Sequence, residues 1–287
     1  NLAKNHDNVV GVTAAMPSGT GMDKLIAEYP NRFWDVAIAE QHAVTSMAAM
    51  AKEGLKPFIT IYSTFLQRGF DQIIHDVCLM NLPVVFAIDR AGIVGNDGET
   101  HQGAFDISFL RFIPNMILCA PRDNETLNFA LEYAYSAASP CAIRYPRGAF
   151  SELPFEPQPF KIGKAELLKE GSSNKLFIGY GAGVSRAYQT AQLHNEDIAL
   201  LDLRFVKPLD TKLLKELSAK YTHWYIFSDS QKQGGVGSAI LEFLNDEKIH
   251  IELKTFEYED IFIQHGDTKD IEQSLELLPE QLVKKIK

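Results

Sequence analysis

The sequence predicts an α/β protein of two consecutive domains, each a largely parallel or mixed sheet covered by helices. Its 287 residues correspond to about two domains of ~150 residues. In both halves, short apolar segments typical of strands alternate with segments of helical periodicity. A stretch rich in proline interrupts this alternation near the middle. Because alternating β and α elements imply parallel strands, both sheets are expected to bury their faces under helices.

The first predicted domain covers residues 1–148. A helix is predicted over Gln41–Glu53, since Val44, Met47 and Ala48 recur at helical spacing and Gly54 follows as a stop signal. Two more helices are predicted over Leu66–Asn81 and from the cap Asp123 to Tyr135. The predicted strands are Val9–Thr13, Trp34–Ala37, Phe58–Ile61, Val84–Asp89, Met116–Ala120 and Ala142–Tyr145.

Residues 149–160 are predicted to be a linker, because Pro154, Pro157 and Pro159 interrupt any regular pattern. The second predicted domain, residues 161–287, repeats the alternation. Its predicted strands are Leu176–Tyr180, Ile198–Asp202, Trp224–Asp229 and Ile249–Phe256, and its predicted helices are Val184–Leu193, Thr211–Ala219 and Ser238–Asn245.

Composition excludes several classes of protein. The net charge of -9 argues against nucleic acid as the main partner, which requires a basic face. No apolar run approaches the ~20 residues of a membrane span, and no signal peptide is visible. The three cysteines are far apart, which favours buried free thiols in a reducing compartment, and a cytoplasmic location is expected. The first residue is Asn and a strand follows at once, so we expect the chain to start inside a longer protein.

Polar residues cluster where the strands of the first domain end. Parallel α/β sheets bind ligands beyond the carboxyl ends of their strands. The polar segments after those ends are 35–42, 62–68, 89–102 and 144–147. We therefore expect the functional site of this chain at that edge of the first sheet.

Glu40 lies among apolar residues between a predicted strand and a predicted helix. One interpretation is a first-turn acid that is stabilised by the helix dipole. The other is a partly desolvated carboxylate whose pKa is tuned for proton chemistry. Position in the sequence leaves both interpretations open, so the neighbouring segments must decide between them.

Two of those segments carry further candidate residues. Tyr62 to Arg68 places an aromatic wall beside hydroxyls and a cation, although Ser63 or Thr64 is also expected to cap a helix. Residues 89–103 contain four glycines and bring together Arg90, Asp97 and His101. Glycine lets a backbone approach a ligand closely, and a loop of this length inside a compact domain is more often functional than not.

The strings AEQHAV, IYSTFLQR, DRAGIVG, DGETHQGAFD and RYPRG, in this order and spacing, resemble the 1-deoxy-D-xylulose-5-phosphate synthase family. AMPSGTG before them and FIQHG near the end support the resemblance. It extends over essentially the whole chain and is densest over residues 14–148. The glutamate motif is common to many thiamine-diphosphate enzymes, whereas the DRAGIVG and THQGAFD pair is much narrower.

The resemblance implies a thiamine-diphosphate-dependent transferase. Pyruvate would be decarboxylated and condensed with D-glyceraldehyde 3-phosphate, giving a precursor of isoprenoids, thiamine and pyridoxal. Glu40 would hydrogen-bond N1′ of the cofactor's aminopyrimidine and favour its imino form. Phe65 would stack on the pyrimidine ring, and Ile38 would border the cofactor.

The same resemblance assigns the substrate side. Arg90 and Arg147 would hold the phosphate of glyceraldehyde 3-phosphate, since guanidinium groups match phosphate oxygens. Tyr62 and Arg68 would line that pocket. Asp97 and His101 would lie near the reacting carbons as catalytic groups. Arg144, at the end of a strand, is interpreted as structural.

The chain departs from the family pattern in one respect. Thiamine-diphosphate enzymes hold the diphosphate through a divalent metal with a Gly-Asp-Gly motif and a downstream Asn, and this sequence has no Gly-Asp-Gly. The resemblance implies that the Mg²⁺ ligands belong to an amino-terminal domain, so no metal ligand is expected here. We expect the chain alone to bind cofactor weakly and not to turn over, and to act in a homodimer.

Three alternatives remain. The chain has the layout of the beta subunit of a 2-oxoacid dehydrogenase or of the C-terminal half of a split transketolase. A non-catalytic assembly module with this fold is a third possibility, although the clustered site residues argue against it. The glycines at 179–183, followed by Asp202, resemble a dinucleotide fingerprint, but Val184 stands in place of its third glycine, which favours a tight turn.

Overall fold

The computed structural model describes residues 1–286 and contains two sheets. The first has seven strands in the order β10-β5-β6-β4-β3-β1-β2, all parallel except β10. The second has five strands in the order β12-β11-β8-β9-β7, all parallel except β7. The strands are β1 Val9–Thr13, β2 Phe33–Asp35, β3 Lys56–Tyr62, β4 Val85–Asp89, β5 Ile117–Cys119, β6 Cys141–Arg144, β7 Glu166–Lys169, β8 Lys175–Gly179, β9 Ala199–Asp202, β10 Phe205–Lys207, β11 His223–Gln231 and β12 Glu252–Tyr258.

Helices cover both sheets, as the alternating pattern predicts. The α-helices are α1 Leu2–Asn5, α2 Pro17–Thr20, α3 Met22–Glu28, α4 Glu40–Lys52, α5 Ser63–Leu66, α6 Phe70–Gln72, α7 Asp106–Arg111, α8 Asn124–Ser136, α9 Gly183–Leu193, α10 Thr211–Ser218, α11 Val236–Asp246, α12 Thr268–Ser274 and α13 Pro279–Leu282. Short 3₁₀ turns cover Gln67–Gly69, Gly95–Asp97, Glu99–His101 and Val283–Lys285, and Ile73–Cys78 is a π-helix. Among residues 1–286 there is no helix with the length and apolar character needed to cross a bilayer.

The predicted α/β class and most predicted elements are confirmed. Asp123 caps α8 as expected: its carboxylate accepts a hydrogen bond from the Thr126 N–H at 2.8 Å, and its own N–H donates to the Thr126 hydroxyl at 3.0 Å. Such a cap contributes about 1 kcal/mol. The buried face of α4 carries Val44 and Met47, each contributing about 1.5–3 kcal/mol through burial.

The single helix predicted over Leu66–Asn81 is wrong. This stretch is broken into α5, a 3₁₀ turn, α6 and the π-helix, which ends at Cys78. The cause is Gly69, where a Cβ atom would lie 2.9 Å from Val44 Cγ2 of α4. The chain passes so close to α4 at this point that regular helical geometry is interrupted, and π-helical turns often occur near functional sites.

All the predicted strands except Val9–Thr13 differ from the observed bounds by one to three residues at one end or both. The strand predicted over Trp34–Ala37 ends at Asp35, because Ala37 adopts a left-handed conformation with φ of 57° and turns the chain. The strand predicted from Ile249 begins at Glu252.

Two short strands were not predicted. Both β7 and β10 run antiparallel to their neighbours and have only four and three residues, too few to show a period. β10 comes from residues predicted as the second domain but pairs with β5 of the first sheet. Residues 145–165 contain no helix or strand, and the boundaries 1–148 and 161–287 stay predictions.

Buried arginines join the two halves. Arg122 is fully buried and donates to the carboxylates of Glu166 at 2.7 Å and Asp202 at 2.9 Å. Arg144 is buried, pairs with Asp106 at 2.7 Å and donates to the Asp229 carbonyl at 2.7 Å. Arg144 therefore has the structural environment that its strand-end position suggested. Removing one member of such a buried pair typically costs 3–5 kcal/mol.

Candidate functional site

The site lies at the carboxyl ends of five adjacent strands in the first sheet. These strands, in spatial order, are β6, β4, β3, β1 and β2. Arg147 follows β6, and Arg90 begins the long loop after β4. Tyr62 ends β3, and Glu40 follows β2 after a short turn. The parallel topology thus gathers residues that are far apart in sequence at one edge, as the strand-end rule predicts.

Glu40 is the first residue of α4, and it is only 2% exposed. Within residues 1–286 its carboxylate accepts hydrogen bonds from Arg68, whose Nη1 lies 3.5 Å from both oxygens. That distance is at the long limit for a hydrogen bond, and the Arg68 side chain is itself about half exposed. Glu40 is therefore a buried carboxylate with much of its hydrogen-bonding capacity unused.

An aromatic group lies beside this carboxylate. The rings of Tyr62 and Phe65 stack with centroids 5.8 Å apart, and the His101 ring meets Phe65 edge-on at 5.0 Å. The Arg68 guanidinium carbon lies 5.9 Å from the Phe65 centroid. Phe65 is only partly buried, so one part of its ring is free to contact a ligand. The His101 Nδ1 lies 3.0 Å from the Thr100 hydroxyl.

Arg90 stands at the centre of a second cluster. Its guanidinium carbon lies 3.7 Å from the centroid of the Tyr62 ring, a close cation–π contact. Its Nη1 donates to the Gly19 carbonyl at 3.0 Å and to Asp89 at 3.1 Å. Arg90 adopts a left-handed backbone with φ of 59°, a conformation that costs about 1–3 kcal/mol outside glycine and that clusters at functional sites.

Asp97 joins the two arginines of the site. Its carboxylate lies 3.4 Å from Arg90 Nε and 3.2 Å from Arg147 Nη2. Arg147 also donates to the Val94 carbonyl at 3.0 Å, and its side chain is about half exposed. The two guanidinium groups are thus held on either side of one carboxylate, with Arg147 open to solvent.

Burial raises the pKa of two groups of this cluster, Asp89 and Tyr62. Removal from water raises the pKa of Asp89, against the opposing effect of the Arg90 guanidinium. Burial also raises the pKa of the Tyr62 hydroxyl, and Arg90 again opposes it. Tyr62 therefore stays protonated at neutral pH.

A cavity of about 860 Å³ opens beside the arginines. Arg90 and Arg147 line it from the first sheet, and Arg186 and Asp229 line it from the second. The described wall of the cavity reaches the arginine end of the site and stops short of Glu40.

Eight of the nine residues predicted for the site form one connected set of contacts. They are Glu40, Tyr62, Phe65, Arg68, Arg90, Asp97, His101 and Arg147. Ile38 lies two residues before Glu40, and its side chain is 73% exposed, which is unusual for isoleucine. The structure thus brings the predicted residues together, while the roles that the resemblance implies stay predictions.

Sequence reasoning missed three residues of this region. Asp89 ends β4 directly before Arg90, and its strand-end position was a usable signal. Gly19 lies in the AMPSGTG string, but the contact of its backbone carbonyl with Arg90 leaves no signal in the sequence. Gln102 is 5% exposed and hydrogen-bonds within the loop and across to the second half, contacts that only the folded chain reveals.

Two further features of the sequence concern metal ligands and the glycine-rich turn before α9. Within 1–286, no group of three or more His, Cys, Asp or Glu side chains has an arrangement suited to a metal ion. At the glycine-rich turn before α9, a Cβ on Gly183 would lie 2.1 Å from the Phe227 carbonyl, and one on Gly179 would lie 2.4 Å from Val184 Cα. These glycines therefore serve close packing between β8, α9 and β11.

Comparisons with known proteins agree with this architecture. Residues 1–152 match the transketolase pyrimidine binding domain, and residues 163–282 match the transketolase C-terminal domain. Among solved structures, a split gene transketolase described as an inactive beta4 tetramer has a TM-score of 0.88 at 25% identity, covering 99% of this chain and 92% of that one. Transketolase from Campylobacter jejuni has a TM-score of 0.79 at 19% identity, covering 99% of this chain and 44% of its own, and shows the fold alone.

Curated relatives are more similar in sequence. The 1-deoxy-D-xylulose-5-phosphate synthase of Aliarcobacter butzleri is 80% identical over 100% of this chain and 48% of its own length. That of Sulfurimonas denitrificans is 66% identical over the same shares. The chain thus spans about half the length of these relatives, and the resemblance drawn from the motifs is confirmed. By both its domains, this chain belongs to the transketolase family.

Proposed function

We propose that this chain provides the pyrimidine side and the substrate-phosphate side of the active site of a 1-deoxy-D-xylulose-5-phosphate synthase. The reaction is the thiamine-diphosphate-dependent decarboxylation of pyruvate and its condensation with D-glyceraldehyde 3-phosphate. The observation that carries the proposal is the buried carboxylate of Glu40, which has few hydrogen-bond partners. It belongs to the same set of contacts as the partly exposed ring of Phe65 and the guanidinium groups of Arg90 and Arg147. The relatives of Aliarcobacter butzleri and Sulfurimonas denitrificans bear that enzyme's name.

The residues present fit an aminopyrimidine. Glu40 offers a buried acceptor, Phe65 a partly exposed ring and Ile38 an exposed apolar side chain. Within residues 1–286, the hydroxyls of Thr13 and Ser63 are buried without a hydrogen-bond partner, and both lie at this edge of the sheet.

Thiamine diphosphate, when bound, supplies the electron sink that decarboxylation and carbon–carbon bond formation require. Glu40 holds a proton at N1′ of the aminopyrimidine and so sets the tautomer of that ring. Phe65 orients the ring by stacking, and Ile38 shields it from water. Burial of Glu40 strengthens its hydrogen bond, because the site has a low local dielectric.

The arginine cluster binds the acceptor. Arg147 is half exposed and is held by the Val94 carbonyl and Asp97, so the rest of its guanidinium can bind a phosphate dianion, while Arg90 is held in place by Asp89, Gly19 and the Tyr62 ring. Guanidinium groups bind phosphate oxygens through paired, charge-assisted hydrogen bonds. Tyr62 and Arg68 complete the wall of this pocket, and Asp97 and His101 lie between the two ends, where they can orient the substrates or move protons.

The diphosphate end is proposed to lie outside this chain. The sequence has no Gly-Asp-Gly, and the described residues offer no metal-binding cluster. We therefore expect Mg²⁺ ligands in the remaining half of the enzyme, weak cofactor binding by the 287 residues alone, and a homodimer as the working form in the cytoplasm. The split gene transketolase with a TM-score of 0.88 is itself described as inactive, which supports this expectation.

The test replaces the matching 48% of the Aliarcobacter butzleri synthase with this chain. The resulting chimaera is the complete enzyme of the experiments below. We expect it to form 1-deoxy-D-xylulose 5-phosphate from pyruvate and D-glyceraldehyde 3-phosphate, and the 287 residues alone to form none. A beta subunit of a 2-oxoacid dehydrogenase would instead pass its acyl group to a lipoyl acceptor. Transfer to lipoamide without formation of the sugar phosphate would refute the proposal, and turnover by the isolated chain would refute the division of the site.

A further inference from the structure

The loop that carries Asp97 and His101 lies against the second half of the chain. Gly92 and Gly103 exchange backbone hydrogen bonds at 2.8 and 2.7 Å and so close the base of this loop. A Cβ on Gly92 would lie 2.9 Å from Asp229 Cβ, and one on Gly95 would lie 2.8 Å from the Thr268 hydroxyl. The loop therefore fits against β11 and the start of α12 with no room for side chains at two points.

The side chain of Gln102 links this loop to the second half, with one end of its amide bonded within the loop and the other bonded across. Gln102 is 5% exposed. Its Oε1 accepts from the Val94 N–H at 2.8 Å, and its Nε2 donates to the Gln264 carbonyl at 3.0 Å. Because one partner is an N–H and the other a carbonyl, the orientation of the amide is determined by chemistry.

The contact continues to the acceptor-binding arginine. The Val94 carbonyl, on the residue whose N–H binds Gln102, accepts a hydrogen bond from Arg147 Nη1 at 3.0 Å. Arg147 then pairs with Asp97 at 3.2 Å. A continuous series of polar contacts thus runs from the Gln264 carbonyl through Gln102 and Val94 to Arg147.

We propose that Gln102 is a positioning residue through which the second half of the chain sets the place of Arg147, and with it the enzyme's preference for a phosphorylated acceptor. The inference rests on the proposed function, since it assigns Arg147 to the acceptor phosphate. Gln102 itself stays clear of the substrate. It acts by fixing the backbone of Val94, whose N–H and carbonyl lie in successive peptide units, and a shift of about 1 Å in such a supporting contact can cost up to about a hundredfold in rate.

The experiment uses the complete enzyme with Gln102→Met, which keeps the length and flexibility of the side chain but removes both hydrogen bonds. We compare kcat/KM for D-glyceraldehyde 3-phosphate with kcat/KM for unphosphorylated D-glyceraldehyde. The ratio of these two values should fall about tenfold or more, because a displaced Arg147 loses charge-assisted hydrogen bonds to the acceptor phosphate. The KM for pyruvate should change less than twofold.

The matched control is Gln264→Ala. Gln264 contributes only its backbone carbonyl to the series, and its side chain is exposed, so this variant should keep the wild-type ratio. A second variant, Gly95→Ala, moves the same loop without touching Gln102, because the new Cβ meets the Thr268 hydroxyl. It should lower the ratio in the same direction.

The outcomes separate the two proposals. If the wild-type complete enzyme shows no preference for the phosphorylated acceptor, the proposed function fails and the inference fails with it. If the wild type shows the preference and Gln102→Met retains it, the inference alone is overturned, whether or not Gly95→Ala lowers the ratio. The same holds if both variants lose activity toward both acceptors equally, together with thermal stability, because that pattern marks a purely structural role.

Discussion

Two glutamates of this chain are buried beside the first turn of a helix, and they differ in what surrounds their carboxylates. Glu257, 5% exposed on β12, accepts hydrogen bonds from the N–H groups of Val236 at 2.9 Å and Gly237 at 3.2 Å, and from the Ser230 hydroxyl at 3.2 Å. Glu40, 2% exposed at the start of α4, receives Arg68 at 3.5 Å. The Glu257 carboxylate has its hydrogen-bond acceptors occupied by groups of this chain, whereas the Glu40 carboxylate can accept further hydrogen bonds.

The comparison favours the second of the two interpretations that the sequence left open for Glu40, the carboxylate tuned for proton chemistry, and that role stays a prediction. A structural acid at a helix start satisfies the free N–H groups of the first turn, as Glu257 does for α11. Within residues 1–286, the Glu40 carboxylate makes no such hydrogen bond to the first turn of α4 and is contacted by Arg68 instead. Burial beside a helix start is therefore a poor sign of function by itself, and the unused oxygens of the carboxylate are the better one.

The largest expected effect is on catalysis at Glu40. Glu40→Gln in the complete enzyme keeps the shape of the side chain but cannot hold a proton at the cofactor. Proton-transfer groups contribute about 10²–10⁴-fold to rates, so pyruvate decarboxylation should fall about a thousandfold. The thermal midpoint should stay within a few degrees, since the change removes only the long contact with Arg68.

Glu53→Gln is the matched control for that variant. Glu53 follows the same helix at its other end and is exposed, so its loss should leave the rate unchanged. Decarboxylation at the wild-type rate by Glu40→Gln would contradict the functional interpretation of this carboxylate and would indicate a structural role like that of Glu257.

The next effect concerns stability and its dependence on pH. Burial raises the pKa of Glu257 to about 7, although the N–H groups of Gly237 and Val236 and the Ser230 hydroxyl oppose the shift. The folded state therefore holds this proton more tightly than the unfolded state does, whose carboxyl titrates near its ordinary value of 4.5. The stabilisation is fully present below the unfolded pKa and is lost as the pH rises through the folded pKa.

For the complete enzyme, this single group should lower the free energy of unfolding by about 2–3 kcal/mol between pH 4.5 and pH 7. Glu257→Gln should remove that component, so urea denaturation at the two pH values should show a smaller difference than in the wild type. The activity per folded molecule should be unchanged. Glu259→Gln, which alters an exposed neighbour paired with Lys232, should keep the full pH dependence; a flat wild-type profile would contradict the assignment.

What the sequence predicted well depends on local pattern and on one rule of topology. Glu40, Tyr62 and Arg90 were found because each follows a strand-like segment, and parallel strands place such residues at one edge. The α4 helix was found because its apolar residues recur at helical spacing. These inferences need no knowledge of which distant segments meet.

The parts that were missed depend on contacts between distant segments. β10 lies in the second half of the sequence yet pairs with β5, and nothing in its three residues indicates that partner. The break of the helix after Leu66 depends on how close Gly69 comes to Val44. Gln102 lies in the THQGAFD string, but nothing in that string indicates its hydrogen bond to the distant Gln264 carbonyl.

The smallest expected effect is on stability and concerns the turns that precede the two helices, α11 beside Glu257 and α4, which Glu40 begins. The turn before α11 uses Gly234 at φ 72°, whereas the turn before Glu40 uses Ala37 at φ 57°. A left-handed conformation costs an L-residue about 1–2 kcal/mol. Glycine removes that cost but lowers stability by about 0.4–1 kcal/mol, because it increases the conformational entropy of the unfolded chain. Ala37→Gly should therefore raise the free energy of unfolding by about 0.5 kcal/mol.

Ala49→Gly gives the opposite sign as a control. Ala49 is an exposed residue within α4, where glycine costs about 1 kcal/mol. Urea denaturation of both variants measures the contrast, and decarboxylation should be unaffected by Ala37→Gly, because the Asp35 carboxylate still accepts the residue-37 N–H at 3.0 Å. If Ala37→Gly instead slows decarboxylation while stabilising the fold, the strained turn serves to aim Glu40, and the difference between the two glutamates begins three residues before the carboxylate itself.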